Sequence, residues 1–236
     1  DVDDAALSYA EIKALATGNP YIREKMDLDI QVSKLKLMKA NHTSQKYHLE
    51  TDIAKNYPVQ IAAQKEQIAG LRADREAVKP ILEEKEKDNF SMMIGGKTYT
   101  DRKEAGTAIL AACAGLKAVK SNGQIGEFHG FSLNASYDSF YQTYKLTIKR
   151  QCSYQIEIGK DVLGNLQRIS NALTGIEKRL TEAEQKMENL LSQLATAQED
   201  VEKPFPKEAE LTEKMERLAE LNSLLNMDEK GTSEAL

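Results

Sequence analysis

The sequence predicts a mainly α-helical protein in which a long antiparallel coiled-coil stalk carries a small inserted α+β domain, an antiparallel sheet plus one helix. Three observations lead there. Apolar residues recur at alternating steps of four and three through Val162, Leu166, Ile169, Leu173, Ile176, Leu180, Ala183, Met187, Leu190, Leu194, Ala197 and Val201, an a/d stripe of the coiled-coil kind. Of 236 residues, 29% are charged, 6% are aromatic and none is Trp, a composition that favours long solvated helices. The few aromatics are concentrated: Phe90, Tyr99, Phe128, Phe131, Tyr137, Phe140, Tyr141, Tyr144 and Tyr154 all lie in residues 90–160, which places a globular core in the middle of the chain.

The elements follow in order. Residues 1–20 hold a short helix, Leu7 to Thr17, closed by Gly18-Asn19-Pro20, a helix-stop triplet. Residues 21–88 read as the first stalk helices, with Leu28, Val32, Leu35, His42, Leu49 and Ile53 before Pro58 and Ile61, Ile68, Leu71, Val78 and Leu82 after it. Pro58 starts a new helix or kinks a single one, and Pro80 adds a further bend. Residues 90–160 form the small domain. Phe90 to Ile94 and Lys97 to Thr100 read as a hairpin around Gly95-Gly96, and Asp101 to Lys120 as a helix. Glu127 to Tyr137, Phe140 to Arg150 and Ser153 to Ile158 read as a three-strand meander. Residues 161–203 are the heptad stalk helix, about 60 Å long for its forty-odd residues at 1.5 Å each, stopped by Pro204-Phe205-Pro206. Residues 204–227 carry a C-terminal helix with Leu211, Met215, Leu218, Leu221 or Asn222, and Leu225 in register, and residues 228–236 a flexible tail.

The GGKT of Gly95 to Thr98 spells the end of a phosphate-binding loop, but Ser91 stands where that loop requires its first glycine. The strand pattern also continues through Lys97-Thr98-Tyr99, and the next helix waits for a cap at Thr100 or Asp101, with Glu104 placed for a capping box. Gly95-Gly96 is therefore expected to be a turn. Cys113 and Cys152 are far apart, and His42, His48 and His129 are scattered, so neither metal-ligand nor nucleophile spacing emerges and no catalytic residue is assigned. No run is apolar enough for a membrane span, and the first residues lack signal-peptide features, so a cytoplasmic location without membrane attachment is expected.

Charge is unevenly spread. The whole chain carries a net −5, but residues 90–160 hold nine Lys or Arg against five acids. Strand alternation predicts an outward face of Tyr141, Thr143, Lys145, Thr147 and Lys149 beside Ser132, Asn134 and Ser136. Such a face could track a phosphate backbone and stack bases. The candidate DNA contacts are Lys97, Arg102, Lys103, Tyr141, Lys145, Lys149 and Arg150.

Five segments also carry a resemblance: DDAALSYAEIKALATGNPYIREKMDLDIQVSKLKLMKANH, GGKTYTDRKEAG, IGEFHGFSL, LGNLQRISNAL and KPFPKEAELTEKMERLAELNSLLNMDE. In this order they resemble the C-terminal region of large bacterial superfamily-2 DNA helicases of the DEAD/DEAH and Swi/Snf-like type. Those proteins are often fused to an adenine-N6 DNA methylase and carried on conjugative elements and phages. The resemblance implies a non-catalytic accessory module that helps the motor engage or position DNA. It implies no cofactor in this segment, and ATP with Mg2+, and possible S-adenosylmethionine, for upstream domains of the parent. The chain contains no complete Walker A, no DEAD or DEAH box, no arginine-finger motif and no N-P-P-[YF] tetrad. A coiled-coil arm for protein interaction or self-association, without DNA contact, is the alternative.

Overall fold

The computed structural model describes residues 16, 18–87, 90–118 and 122–233. The chain is mainly helical with one six-stranded antiparallel sheet, and it divides into two compact units, residues 1–56 with 194–236, and residues 57–193. Apart from Ala16, the expected helix Leu7 to Thr17 lies outside the described residues.

In the first unit, Gly18-Asn19-Pro20 acts as a start signal. The Asn19 side chain accepts from the Tyr21 amide at 3.0 Å, and Pro20 opens helix α1, Pro20–Thr51, where its missing N–H costs nothing. Helix α6, Glu208–Ser233, runs antiparallel to it. Arg217 grips Glu24 through two nitrogens at 2.7 and 3.1 Å, Lys214 donates to Gln31, and Lys39 pairs with Glu208. Val32, Leu35 and Leu211 are buried between the two, with Phe205 and Leu218 against them. Helix α6 continues through residues 228–233, where a flexible tail was expected, because no proline or capping sequence stops its backbone ladder earlier.

A π-helical turn, Asp52–Asn56, separates α1 from helix α2, Tyr57–Lys87. Pro58 is the reason: an interior proline removes one hydrogen bond and crowds the carbonyl four residues back, and a widened turn relieves both. Helix α2 runs on past Pro80.

The second unit holds β1, Met92–Ile94; β2, Lys97–Tyr99; α3, Arg102–Ala118; β3, Gly123–Phe128; β4, Phe131–Asp138; β5, Thr143–Lys149; β6, Ser153–Ile158; α4, Val162–Thr174; and most of α5, Ile176–Val201. The sheet order is β2-β1-β3-β4-β5-β6. Gly95 and Gly96 have φ of 58° and 79°, the paired positive values of a tight hairpin turn, and Asp101 caps α3 by accepting from the Glu104 amide at 2.8 Å. GGKT is thus a hairpin followed by a separately capped helix. The strand expected from Glu127 to Tyr137 is instead two strands. His129 and Gly130 both have positive φ and reverse the chain, pairing Phe128 with Phe131.

Phe131, Leu133, Ala135, Leu146 and Ile148 form one face of the sheet, fully buried under Ala105, Ile109 and Cys113 of α3 and Leu166, Ile169 and Leu173 of α4. The heptad stripe is therefore largely the buried face, as its period requires, but it is not one helix. Gly175, the poorest helix former short of proline, caps α4 and separates it from α5. The stripe's first residues fill the sheet's core rather than a stalk seam. Further on, Leu180 and Ala183 join Ile68, Leu71 and Val78 of α2 in the same core. There Gln64 donates to the Ala183 carbonyl, Arg72 pairs with Glu184, and Arg75 lies near Glu177, so α2 and this part of α5 run antiparallel. Among the described residues no helix is long and apolar enough to cross a membrane.

Candidate nucleic-acid interface

Alternation in β4 and β5 sends every second side chain away from the helices. The rows on that open face run Glu127–Ser132–Lys149–Ser153, Gln124–Asn134–Thr147–Gln155, Ser136–Lys145–Glu157 and Asp138–Thr143. The pairing of Lys145, Thr147 and Lys149 with Ser136, Asn134 and Ser132 is the one alternation predicts. The charge is not. Two lysines share this face with Glu127, Asp138 and Glu157, and Lys145 Nζ already donates to Asp138 Oδ2 at 2.9 Å. That contact, with the Tyr141 and Phe140 amides, holds the Asp138 carboxyl below its usual range, and in return Asp138 raises the Lys145 ammonium. Lys149 is exposed.

Tyr141 does not lie on β5 as expected. The strand begins at Thr143, and residues 139–142 form the hairpin tip, because Asp138 Oδ1 captures the Phe140 and Tyr141 amides at 3.0 and 3.2 Å and Gln142 adopts φ of 53°. Lys145 Nζ lies 5.9 Å from the Tyr141 ring centroid.

Arg150 is turned the other way. It sits in the β5–β6 turn, donates to the Ala73 carbonyl of α2 at 2.9 Å, and lies 3.8 Å from the Asp74 carboxylate. Asp74 is fully buried and accepts from the Gln151 and Cys152 amides and the Tyr154 hydroxyl at 3.0, 2.8 and 2.8 Å. Burial, together with that neighbouring carboxylate, pushes the Tyr154 hydroxyl pKa upward. Arg150 is thus part of the bracket that ties the sheet to α2.

Lys97 opens β2 just after the Gly95-Gly96 turn, and Arg102 and Lys103 open α3 beyond the other end of that strand. Because Lys97 pairs with buried Ile94, its side chain leaves on the helix-covered side, opposite to Lys145 and Lys149. Four strand steps, about 19 Å at 4.8 Å each, also separate β2 from β5. The seven candidates therefore form two groups and one structural bracket. Lys97 Nζ stands 4.8 Å from the Tyr99 ring and Arg102 Cζ 5.0 Å from the Phe90 ring; farther along α3, Lys117 Nζ stands 4.2 Å from Tyr137. Sequence reasoning missed Phe90, Lys117 and Phe140. For Phe140 a signal existed, since Asp138-Ser139 ahead of it is a turn-forming pair.

Comparison with protein-family models, with curated proteins and with solved structures gave no match.

Proposed function

We propose that the chain is a non-catalytic accessory module of a DNA helicase or helicase-methylase, helping the parent engage or position DNA through the unit of residues 57–193. The observation that carries the DNA contact is that Lys97, Arg102 and Lys117 stand over aromatic rings. A cation held on a ring face keeps its full charge and is held in place to meet a phosphate backbone. The helicase setting rests on the resemblance of the five segments above, and with it the assignment of ATP, Mg2+ and any S-adenosylmethionine to upstream domains. The coiled-coil stalk belongs to the same proposal, supported by the antiparallel runs of α1 with α6 and of α2 with α5. The test is a fluorescence-anisotropy titration of labelled single-stranded and duplex oligonucleotides at about 50 mM and about 200 mM salt. Binding that weakens with salt is expected, and no binding at the lower salt overturns the DNA contact.

A protein-interaction arm is the second reading. Ile30 and Leu37 are 68% and 64% exposed, seven residues apart on one side of α1, away from Val32 and Leu35 that face α6. Light scattering decides self-association: a monomer across the concentration range removes it.

A further inference from the structure

We infer that the β4–β5 hairpin tip, Phe140 and Tyr141, is a stacking site for unpaired nucleobases of a DNA strand. The inference deepens the DNA reading above and rests on it. Phe140 is 84% exposed and Tyr141 69%, the two adjacent in sequence and at the end of a hairpin. A four-residue turn is well served by Gly, Asn, Asp and Ser, so nothing in the fold asks for two aromatic rings there, and exposing them forgoes the stabilisation of burial. Their placement is fixed. Asp138 holds both amides from one carboxylate oxygen and Lys145 from the other, and Gln142 closes the turn in the left-handed region. The rings meet edge to face, with centroids 4.8 Å apart and planes at 85°, an arrangement that leaves ring faces open to solvent.

The surroundings select the occupant. Ser139, Gln142, Thr143, Asp138 and Lys145 frame the tip, and the next aromatic pair, Tyr137 and Tyr144, is half-buried, so the fully exposed apolar surface is the two rings and not the broad patch that an apolar protein partner covers. A base needs only one flat face, and Lys145, 5.9 Å from the Tyr141 ring and paired with Asp138, cancels that carboxylate so that it does not repel a strand's phosphates. Bases inside a duplex present their faces to each other, so the site takes unpaired ones.

The test uses the full chain and a labelled oligo-dT at low salt, with a duplex of the same length as comparison. Replacing both rings (Phe140→Ala with Tyr141→Ala) is expected to weaken oligo-dT binding at least about fivefold, as loss of base–aromatic stacking does, and to change duplex binding less. Phe140→Tyr and Tyr141→Phe, which keep the rings, should retain wild-type affinity. Both side chains are exposed, so an unchanged melting temperature is the check that the variants fold. Oligo-dT binding that is normal in the double alanine variant overturns the stacking site and leaves the DNA reading standing. Failure of the wild-type chain to bind either DNA removes both. An equal loss of single-strand and duplex binding also overturns the inference, since it would mark the tip as a backbone contact.

Discussion

Asp74→Ala should be the most damaging single substitution in the sheet-bearing unit. The carboxylate has no exposed surface and satisfies three donors at once: the Gln151 and Cys152 amides and the Tyr154 hydroxyl, at 3.0, 2.8 and 2.8 Å. Removing it leaves those donors without their acceptor, at roughly 1–3 kcal/mol for each that stays buried. It also strands the Arg150 guanidinium 3.8 Å away. Water reaches part of the Gln151 and Arg150 groups, so the sum is capped near the roughly 3–5 kcal/mol lost when a buried charged pair is broken, a large share of the 5–15 kcal/mol that holds a typical domain. Asp74→Asn retains the size and one acceptor oxygen and should cost about half as much. Arg150→Ala removes a partly exposed donor to the Ala73 carbonyl and should cost about 1 kcal/mol. Because the chain has two units, the readout is hydrogen exchange at the amides of residues 151–158, alongside urea unfolding followed by circular dichroism. Protection at those amides unchanged in Asp74→Ala, with the unfolding free energy within about 0.5 kcal/mol of wild type, the scatter of ordinary surface substitutions, would refute the bracket.

Three further outcomes follow from the same geometry. A Cβ on Gly106 would stand 2.6 Å from Val162 Cγ1 and 2.7 Å from the Val162 carbonyl oxygen, so Gly106→Ala should push α3 off the start of α4 and cost about 1–3 kcal/mol, read as a lowered melting temperature. Burial pushes the Cys113 thiol up to about 11, which leaves about a thousandth of it as the reactive thiolate at pH 8; a disulfide-exchange reagent should label it only after denaturant is added, and labelling within seconds in the native chain would contradict its place in the core. The Glu24 carboxyl is held below its usual range chiefly by its hydrogen bond to Arg217. Its contribution to stability is therefore complete above the unfolded value near 4 and lost as pH falls through the lower folded value, so the difference in melting temperature between wild type and Glu24→Gln should be constant from pH 7 to 5 and shrink below about 4.

The faces of the elements were legible because periodicity is local. The alternation of Phe131, Leu133 and Ala135 against Ser132, Asn134 and Ser136, and the burial of the stripe from Leu166 to Ala183, follow from sequence spacing alone. Partners were less legible. The same four-and-three spacing suits a helix seam, a sheet's core and a helix–helix contact within a globular unit, and the stripe from Val162 to Val201 serves more than one of these. Asp74 reads in sequence as a solvated helix carboxylate, since its donors lie 77 to 80 residues away. Arg150 reads as a phosphate contact for the same reason: nothing within its own strand shows that it bends toward Ala73. The β3–β4 hairpin was hidden because Phe131, Leu133, Ala135 and Tyr137 alternate cleanly after it, and its only local marks are Gly130 and the three-residue step from Phe128 to Phe131.

The division of the candidate cations makes the salt dependence of binding informative. Each lysine or arginine that newly neutralises a phosphate releases counterions and steepens the slope of log K against log salt by about 0.7 on a single strand. Lys145 already faces Asp138 and is the cross-strand neighbour of Glu157, so it brings little new charge to a phosphate, and Lys145→Ala should leave the slope nearly unchanged. It should act instead on the hairpin tip, whose Asp138 loses one of its three donors. Lys97 opens β2 and Lys103 lies in the first turn of α3, and replacing both with alanine should flatten the slope by about 1.4. The two variants thus separate a cation that orders the tip from cations that meet phosphate. A slope lowered equally by both would mean that the Lys145–Asp138 pair opens to bind DNA, and the assignment of charge to the two faces would fall with it.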